Sequence, residues 1–264
     1  MKFRAVLDIV GTMRAALTIA VPAVLRAIFA TPSLLMRPAA LSRIGMASIW
    51  VQFGAGSDEF ARGEKGRLIT PHARGVVLDL GAGHGHTVDY LDRSAVTKYV
   101  ALEPNVLMHA RIRERAAAAG YTAADGTLEI LSCGAEDTAA ILRAVQVPVD
   151  TIVSVLTLCS VPAPQATLRA LVWDALAPGG TLLFLEHVRS RQADVAWWQA
   201  LCTPVWSLCL DGCCLDRPTD IWIEGLGDES GESAWAEREI WDPEGWNDRD
   251  DWFRRRLGWF VKRG

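Results

Sequence analysis

The first 50 residues contain no uncharged run longer than Ala15 to Leu25, which is too short to span a hydrocarbon core of about 30 Å. The six cysteines show no paired C-x-x-C spacing, so no zinc-ligand pattern can be read and no metal is expected. Nor do they suggest a disulfide framework: the chain is 264 residues long with 50% hydrophobic residues, and Cys133 and Cys159 read as small core residues at strand ends. A reducing compartment is the simplest reading. There is no basic stripe, and a net charge of -4 gives no electrostatic footprint for nucleic acid. The charge is uneven, however. Residues 1–50 hold six Lys or Arg and one acid, Asp8, a net of +5, so the remainder carries -9. The length suits one α/β domain with an appendage.

One further absence is informative. The apolar run Val76, Val77, Leu78 ends in Asp79, and Gly81, Gly83 and Gly85 follow at alternate positions around Ala82 and His84. A dinucleotide fingerprint G-x-G-x-x-G needs its third glycine at position 86, which is His86. The segment still reads as a buried parallel strand, a tight glycine turn and a helix start in TVDYL, with backbone free to approach a ligand. A second apolar strand, YVALEP, ends in Glu103 and Pro104, and a carboxylate there can accept both ribose hydroxyls. A third, LEILSCG, runs into Ala135 and Glu136. A fourth, DTIVSVLTLCSV, carries Leu156, and after a helix comes LAPGGTLLFLEHV (176–188).

In this order and spacing the motifs resemble the class I S-adenosylmethionine (SAM) dependent methyltransferases. The resemblance implies an α/β fold: a mostly parallel, Rossmann-like seven-stranded sheet with helices on both faces and an antiparallel hairpin at one end. It also implies SAM as cofactor, bound by Asp79, Gly81, Ala82, Gly83, Gly85, Glu103, Pro104, Ala135, Glu136 and Leu156. LTLCSV, PGG, FLEHV, a Trp-rich segment and DGC followed by a basic residue are similar to the methyltransferase-like family seven, membrane-associated enzymes whose members methylate alkyl thiols. The similarity runs from about residue 50 onward. The chain departs from that family at Ala82, where members usually have cysteine, in a less hydrophobic N-terminus, and in an acidic 227–256 region.

Two parts are expected: residues 1–50 as an amphipathic helical extension, and residues 51–264 as the methyltransferase domain with an insert at about 188–226. Phe3, Val6, Leu7, Val10, Met13, Leu17, Val21, Val24, Leu25 and Ile28 share helical spacing, interrupted by Arg4, Asp8, Arg14 and Arg26; Pro22 and Pro32 should kink or end the helix. The extension reads as a membrane-interface helix through residues 1–45, a lid over the site, or a transit peptide. The protein is expected inside the cell, cytoplasmic or peripheral on an internal membrane; no oligomeric state can be read.

In the insert, Ala196 to Leu210 suggests an apolar helix broken by Pro204, with Asp216 capping the next helix. AWAEREIWD and LGWFVK read as the last two strands, and Trp246 and Trp252 as inward-facing. His187, at the exit of the fifth strand, is the first candidate base and Asp211 the second; the alternatives are a structural histidine and a turn-stabilising aspartate. Trp197, Trp198 and Trp206 read as pocket walls or plain core. His84 and His86 read as loop residues beside the cofactor, and Cys202, Cys209, Cys213 and Cys214 as core. The expected substrate is a small lipophilic nucleophile, a thiol first and a phenol or other hydroxyl second. The competing readings are a SAM-fold protein without methyl transfer (a pericyclase or binding subunit) and a nicotinamide oxidoreductase.

Overall fold

The computed structural model describes residues 3–245 and 252–264, with side chains described from Ile9 onward. Phe3, Arg4, Val6, Leu7 and Asp8 as helix-face residues, and Trp246, therefore lie outside the described side chains. Helix α1 (Phe3–Ala30) is followed by a 3-10 turn, α2 (Pro38–Phe60) and α3 (Arg62–Ile69). Strands and helices then follow, with only a 3-10 turn between the first two strands: β1 (Gly75–Leu80), β2 (Val96–Leu102), α4 (His109–Ala118), β3 (Leu128–Leu131), α5 (Thr138–Val145), β4 (Val149–Val155), α6 (Pro164–Ala170) and β5 (Leu176–His187). Then come α7 (Ala193–Cys209), α8 (Thr219–Glu224), β6 (Trp235–Trp241) and β7 (Arg255–Lys262).

The seven strands form one sheet in the order β3-β2-β1-β4-β5-β7-β6. β1 to β5 pair in parallel, and β7 inserts antiparallel between β5 and β6. The central strands are apolar on both sides because helices cover both faces. Leu78, Leu80, Ile152, Leu182 and Phe184 pack on one face; Val77, Tyr99, Val153 and Leu183 pack on the other. Strand order reverses between β1 and β4. β1 runs there into the glycine turn and β4 into the loop before α6, and a crevice opens between them.

Several local expectations are corrected. TVDYL is not an α-helix but a 3-10 turn, His86–Tyr90, so it offers no helix N-terminus. The fourth strand stops at Val155, where Leu156 takes a left-handed conformation (φ 54°). Pro204 does not break α7, and Pro22 does not break α1. Asp216 does not cap α8: its carboxylate accepts from Thr203 Oγ1 at 3.0 Å, and Pro218 occupies the cap position. The boundary at residue 50 falls inside α2. Because α1 continues through Arg14, Pro22 and Arg26, its Ile9–Ala30 stretch is long and apolar enough to cross a membrane by length and composition, contrary to the reading from uncharged runs; a core helix or signal sequence meets the same criterion.

α1 packs along α2, where Gly45 lets the helices approach at Ala20. Ile9, Ala16, Ala20, Ile49, Trp206, Leu210, Leu215 and Trp252 form a third apolar cluster, which joins α1, α2 and α7.

Candidate active site

The carboxyl ends of β1, β2 and β4 face a cavity of about 460 Å³ at the sheet's reversal point. Its first wall is the turn after β1. Gly81 (φ 58°) and Gly83 (φ 56°) adopt a backbone that disfavours any side chain. A Cβ on Gly81 would lie 2.5 Å from Thr157 Oγ1, and one on Gly83 would run into the indole of Trp50. Gly85 (φ 76°) is different: it packs against the Ile112 backbone of α4 and does not line the cavity.

Glu103, at the end of β2, is the central charged group. Its Oε2 accepts the Gly83 N–H at 2.8 Å and its Oε1 accepts the Asn105 N–H at 2.8 Å. Each carboxylate oxygen thus retains acceptor capacity. Burial pushes its pKa up to about 7; the two backbone N–H groups oppose the rise, and the charges of Asp211 and Asp79 add to it.

Asp79 does not line this cavity. It faces a small pocket of about 30 Å³ with Lys65, Ala82 and His86. It accepts from Tyr99 OH at 2.7 Å and Thr87 Oγ1 at 3.0 Å. Burial raises its pKa to about 6 against those two bonds. His86 lies 3.6 Å from Asp58, and the Asp58 carboxylate also accepts from Lys65 Nζ at 2.8 Å and Tyr90 OH at 2.9 Å. Burial alone would raise Asp58, but the nearby His86 ring, the hydrogen bonds from Lys65 and Tyr90 and the Lys65 charge outweigh that and hold it well below the usual carboxylate range.

The opposite wall comes from Leu156, Thr157, Ser160, Val161 and Pro162 after β4, and from Asp211 and Gly212. Thr157 Oγ1 donates to Leu80 O at 2.8 Å, locking this loop to the glycine turn. Buried Glu186 of β5 supports it from below, accepting from Ser154 Oγ (2.8 Å), Thr157 N (2.9 Å) and Leu158 N (3.1 Å). Leu156 and Asp211 (φ 47°) both sit in the left-handed region without being glycine, a strain of about 1–3 kcal/mol each. Burial raises the Asp211 pKa, and the nearby Arg43 charge partly offsets this.

Of the expected site residues, Gly81, Gly83, Glu103, Pro104, Ala135, Glu136, Leu156 and Asp211 share this cavity. Asp79 and Ala82 adjoin it in the smaller pocket, and Gly85 and His187 line neither. His187 is buried behind the wall, its Nε2 3.3 Å from Cys213 Sγ. The tryptophans are not pocket walls either: Trp206 packs on Phe253, Trp198 packs on Trp252, and Trp197 is exposed. Sequence reading missed Arg43, Met46 and Trp50 of α2, and Asn105, Ser132 and Thr157. Trp50 stands between the two pockets. Thr157 fell inside the expected fourth strand, which in the structure ends at Val155, so no sequence signal marked it.

A crevice at the reversal of a 3-2-1-4-5-7-6 sheet, edged by a glycine turn and a strand-end carboxylate, defines a class I SAM-dependent methyltransferase domain. Residues 48–221 match a family model described as a methyltransferase domain. The chain belongs to that family, and its cofactor is SAM; the nicotinamide alternative falls away.

Human thiol S-methyltransferase TMT1B is 44% identical over 71 residues, a match that spans 26% of this chain and 29% of that protein. An O-methyltransferase family protein from Burkholderia thailandensis superposes with a TM-score of 0.57 at 16% identity, over 88% of this chain and 63% of that one. A SAM-dependent methyltransferase from Leishmania major gives 0.54 at 18% identity, over 86% and 82%. These two structural likenesses speak for the fold alone.

Proposed function

We propose that the chain transfers the methyl group of SAM to a small lipophilic nucleophile, an aliphatic thiol first and a phenol or other hydroxyl second. One observation carries this reading: the glycine turn, Glu103 and the Ala135–Glu136 turn lie in one cavity with Asp211 and Gly212 of the DGC turn. The residues present suit the cofactor. Each Glu103 oxygen accepts one N–H and keeps capacity for a ribose hydroxyl, and a Cβ at Gly81 would fill the cradle. When bound, SAM supplies an activated methyl on a sulfonium. The chain's part is to align the acceptor, exclude water and take a proton. Alignment alone is worth about 7–11 kcal/mol in good intramolecular cases.

His187 does not reach the cavity, so Asp211 is the better-placed base. Its raised pKa brings it closer to the proton of a thiol (about 8.5 for cysteine). S-Adenosylhomocysteine formation over a panel of thiols, phenols, amines and carboxylic acids tests the reading. Turnover with thiols is expected; activity only on amines or a protein defeats the acceptor claim. Tight SAM binding with no turnover on anything favours a SAM-fold protein without methyl transfer.

The extension serves as part of the site and as a membrane-surface contact in this reading. Arg43, Met46 and Trp50 support the lid role because they line the cavity. The membrane role is supported by two apolar stripes: Val10, Leu17, Val21 and Leu25 on α1, and Trp197, Leu201, Val205 and Leu208 on α7 are all exposed. Leu17, Val21 and Leu208 border one shared groove that connects the stripes. A lipophilic acceptor would arrive from that side, with the protein held peripherally on an internal membrane. Co-flotation with anionic vesicles is the measurement, and absence of binding removes this half of the reading.

A further inference from the structure

Cys159, His187 and Cys213 come from the loop after β4, the last position of β5 and the turn after α7. The fold brings their donors, two Sγ atoms and a ring nitrogen, within 4.8 Å of one another. His187 Nε2 is 3.3 Å from Cys213 Sγ. Trp206 Nε1–H donates to the same sulfur at 3.4 Å, an outer-sphere bond of the sort that orients a thiolate. Cys159 and His187 are buried. The backbone beneath is tied independently of these side chains: Cys214 N–H donates to Cys159 O at 2.9 Å, and Arg217 Nη1 donates to Leu158 O and Val161 O at 2.6 and 2.7 Å. The donors are therefore held in place by the main chain before any ligand arrives.

We propose that Cys159, His187 and Cys213 bind one thiophilic d10 cation, zinc(II) or copper(I), as a Cys2His site. Bond lengths of about 2.3 Å to sulfur and about 2.0 Å to imidazole place such donors roughly 3.5–4 Å apart around the ion. The triad reaches this spacing with small side-chain adjustments. Soft sulfur and imidazole donors select these metals over magnesium or calcium. Binding releases two thiol protons to solvent, the imidazole coordinates in its neutral form, and two thiolates balance a zinc charge. No oxidant or reductant is needed.

The second cluster of metal-type donors, Asp58, His86 and Asp89, differs: it already has protein cations, with Lys65 on Asp58 at 2.8 Å and Arg115 on Asp89. The Cys2His triad has no ion pair among the described residues. Its consequence is positional. The ion would cross-link the 156–161 loop to the 211–212 turn, two segments of the acceptor wall, whichever acceptor is methylated.

The full chain, reduced, stripped with a chelator and then dialysed against zinc, should retain a single equivalent per chain by elemental mass spectrometry. Cobalt(II) loaded in place of zinc should show a sulfur-to-cobalt charge-transfer band. Both should be lost in Cys159→Ser and Cys213→Ser and kept in Cys133→Ser and Cys202→Ser. A measurement on the unaltered chain covers variants that fail to fold: zinc should slow alkylation of Cys159 and Cys213 by at least tenfold while Cys133 reacts equally with and without it. Retention no greater than in the Cys159→Ser/Cys213→Ser double variant, or equal alkylation of all thiols, overturns the site. So does a Cys159–Cys213 disulfide that accounts for both sulfurs in protein unable to load metal.

Discussion

The two walls of the cavity are built on different principles. The glycine-side wall consists of consecutive strand ends. Its turns use glycine where φ is positive, and its carboxylate, Glu103, is held by N–H groups within two residues or one strand away. The acceptor-side wall draws on α2, the β4 exit and the turn after α7. It forces Leu156 and Asp211 into conformations that glycine would adopt freely. In the proposed reading the first wall holds the cofactor, a part common to every reaction of this class, and can be written in local sequence. The second would recognise the acceptor, and it exists only after distant segments have packed.

The sharpest way to break this contrast is Gly81→Val. The side chain would meet Thr157 at a φ of 58°, and SAM affinity should fall by on the order of a hundredfold or more, read by calorimetry. Unchanged affinity would mean that the first wall is not the cofactor wall. Glu103→Ala comes next. Hydrogen bonds to a charged group are worth about 1.5–3 kcal/mol, so a loss of on the order of a hundredfold in SAM affinity is expected.

Proton linkage gives a smaller effect of the same origin. In the proposed reading the ionised Glu103 carboxylate accepts the ribose hydroxyls, and burial pushes its pKa up to about 7 in the free protein. S-Adenosylhomocysteine affinity should therefore weaken as pH falls below about 7, approaching tenfold per unit, and level off above it. The same shift acts on folding with the opposite slope. The folded pKa lies above the ordinary carboxylate value of 4.5, so this group's contribution to the free fold is greatest below about 4.5 and is lost as pH rises through about 7.

On the other wall, Asp211→Asn should lower turnover about tenfold for thiols and more for phenols, which ionise at higher pH, and leave SAM affinity nearly intact. A fall in SAM affinity equal to the fall in turnover would erase the distinction between the walls. The smallest effect is expected from starting the chain at Pro38. That keeps Arg43, Met46 and Trp50, so turnover of a soluble acceptor should change only a few fold while vesicle binding falls to what the α7 stripe alone supports. Starting at Ser48 removes Arg43 and Met46 and should cost turnover as well.

How much could be read in advance follows the same division. Glycine spacing, a strand-end acid and the PGG segment are local features, so the mostly parallel sheet with its antiparallel hairpin and the placement of Glu103, Gly81, Gly83 and the Ala135–Glu136 turn at one cavity were legible. Gly85 shared the motif but serves packing against Ile112, which spacing cannot reveal. His187 looked like a base because it ends a strand. Its burial behind Cys213 depends on a turn 26 residues later. Trp50 belongs to an apolar helix with nothing to mark it, and only tertiary packing places it between the pockets. Pro22 and Pro204 misled because a proline costs a helix one hydrogen bond without necessarily ending it, and both helices run through theirs.

Asp58 ties the far end of α2 to Lys65 and Tyr90. Seen mechanically, that knot is a fulcrum. At 1.5 Å per residue, Trp50 lies roughly 12 Å from it and Pro38 roughly 30 Å from it, along one rigid rod. A tilt about Asp58 therefore moves the outer end of α2 about two and a half times as far as it moves the indole. Disturbance where α1 joins the rod reaches the cavity geared down, and a small shift of Trp50 is read out at the periphery as a large one.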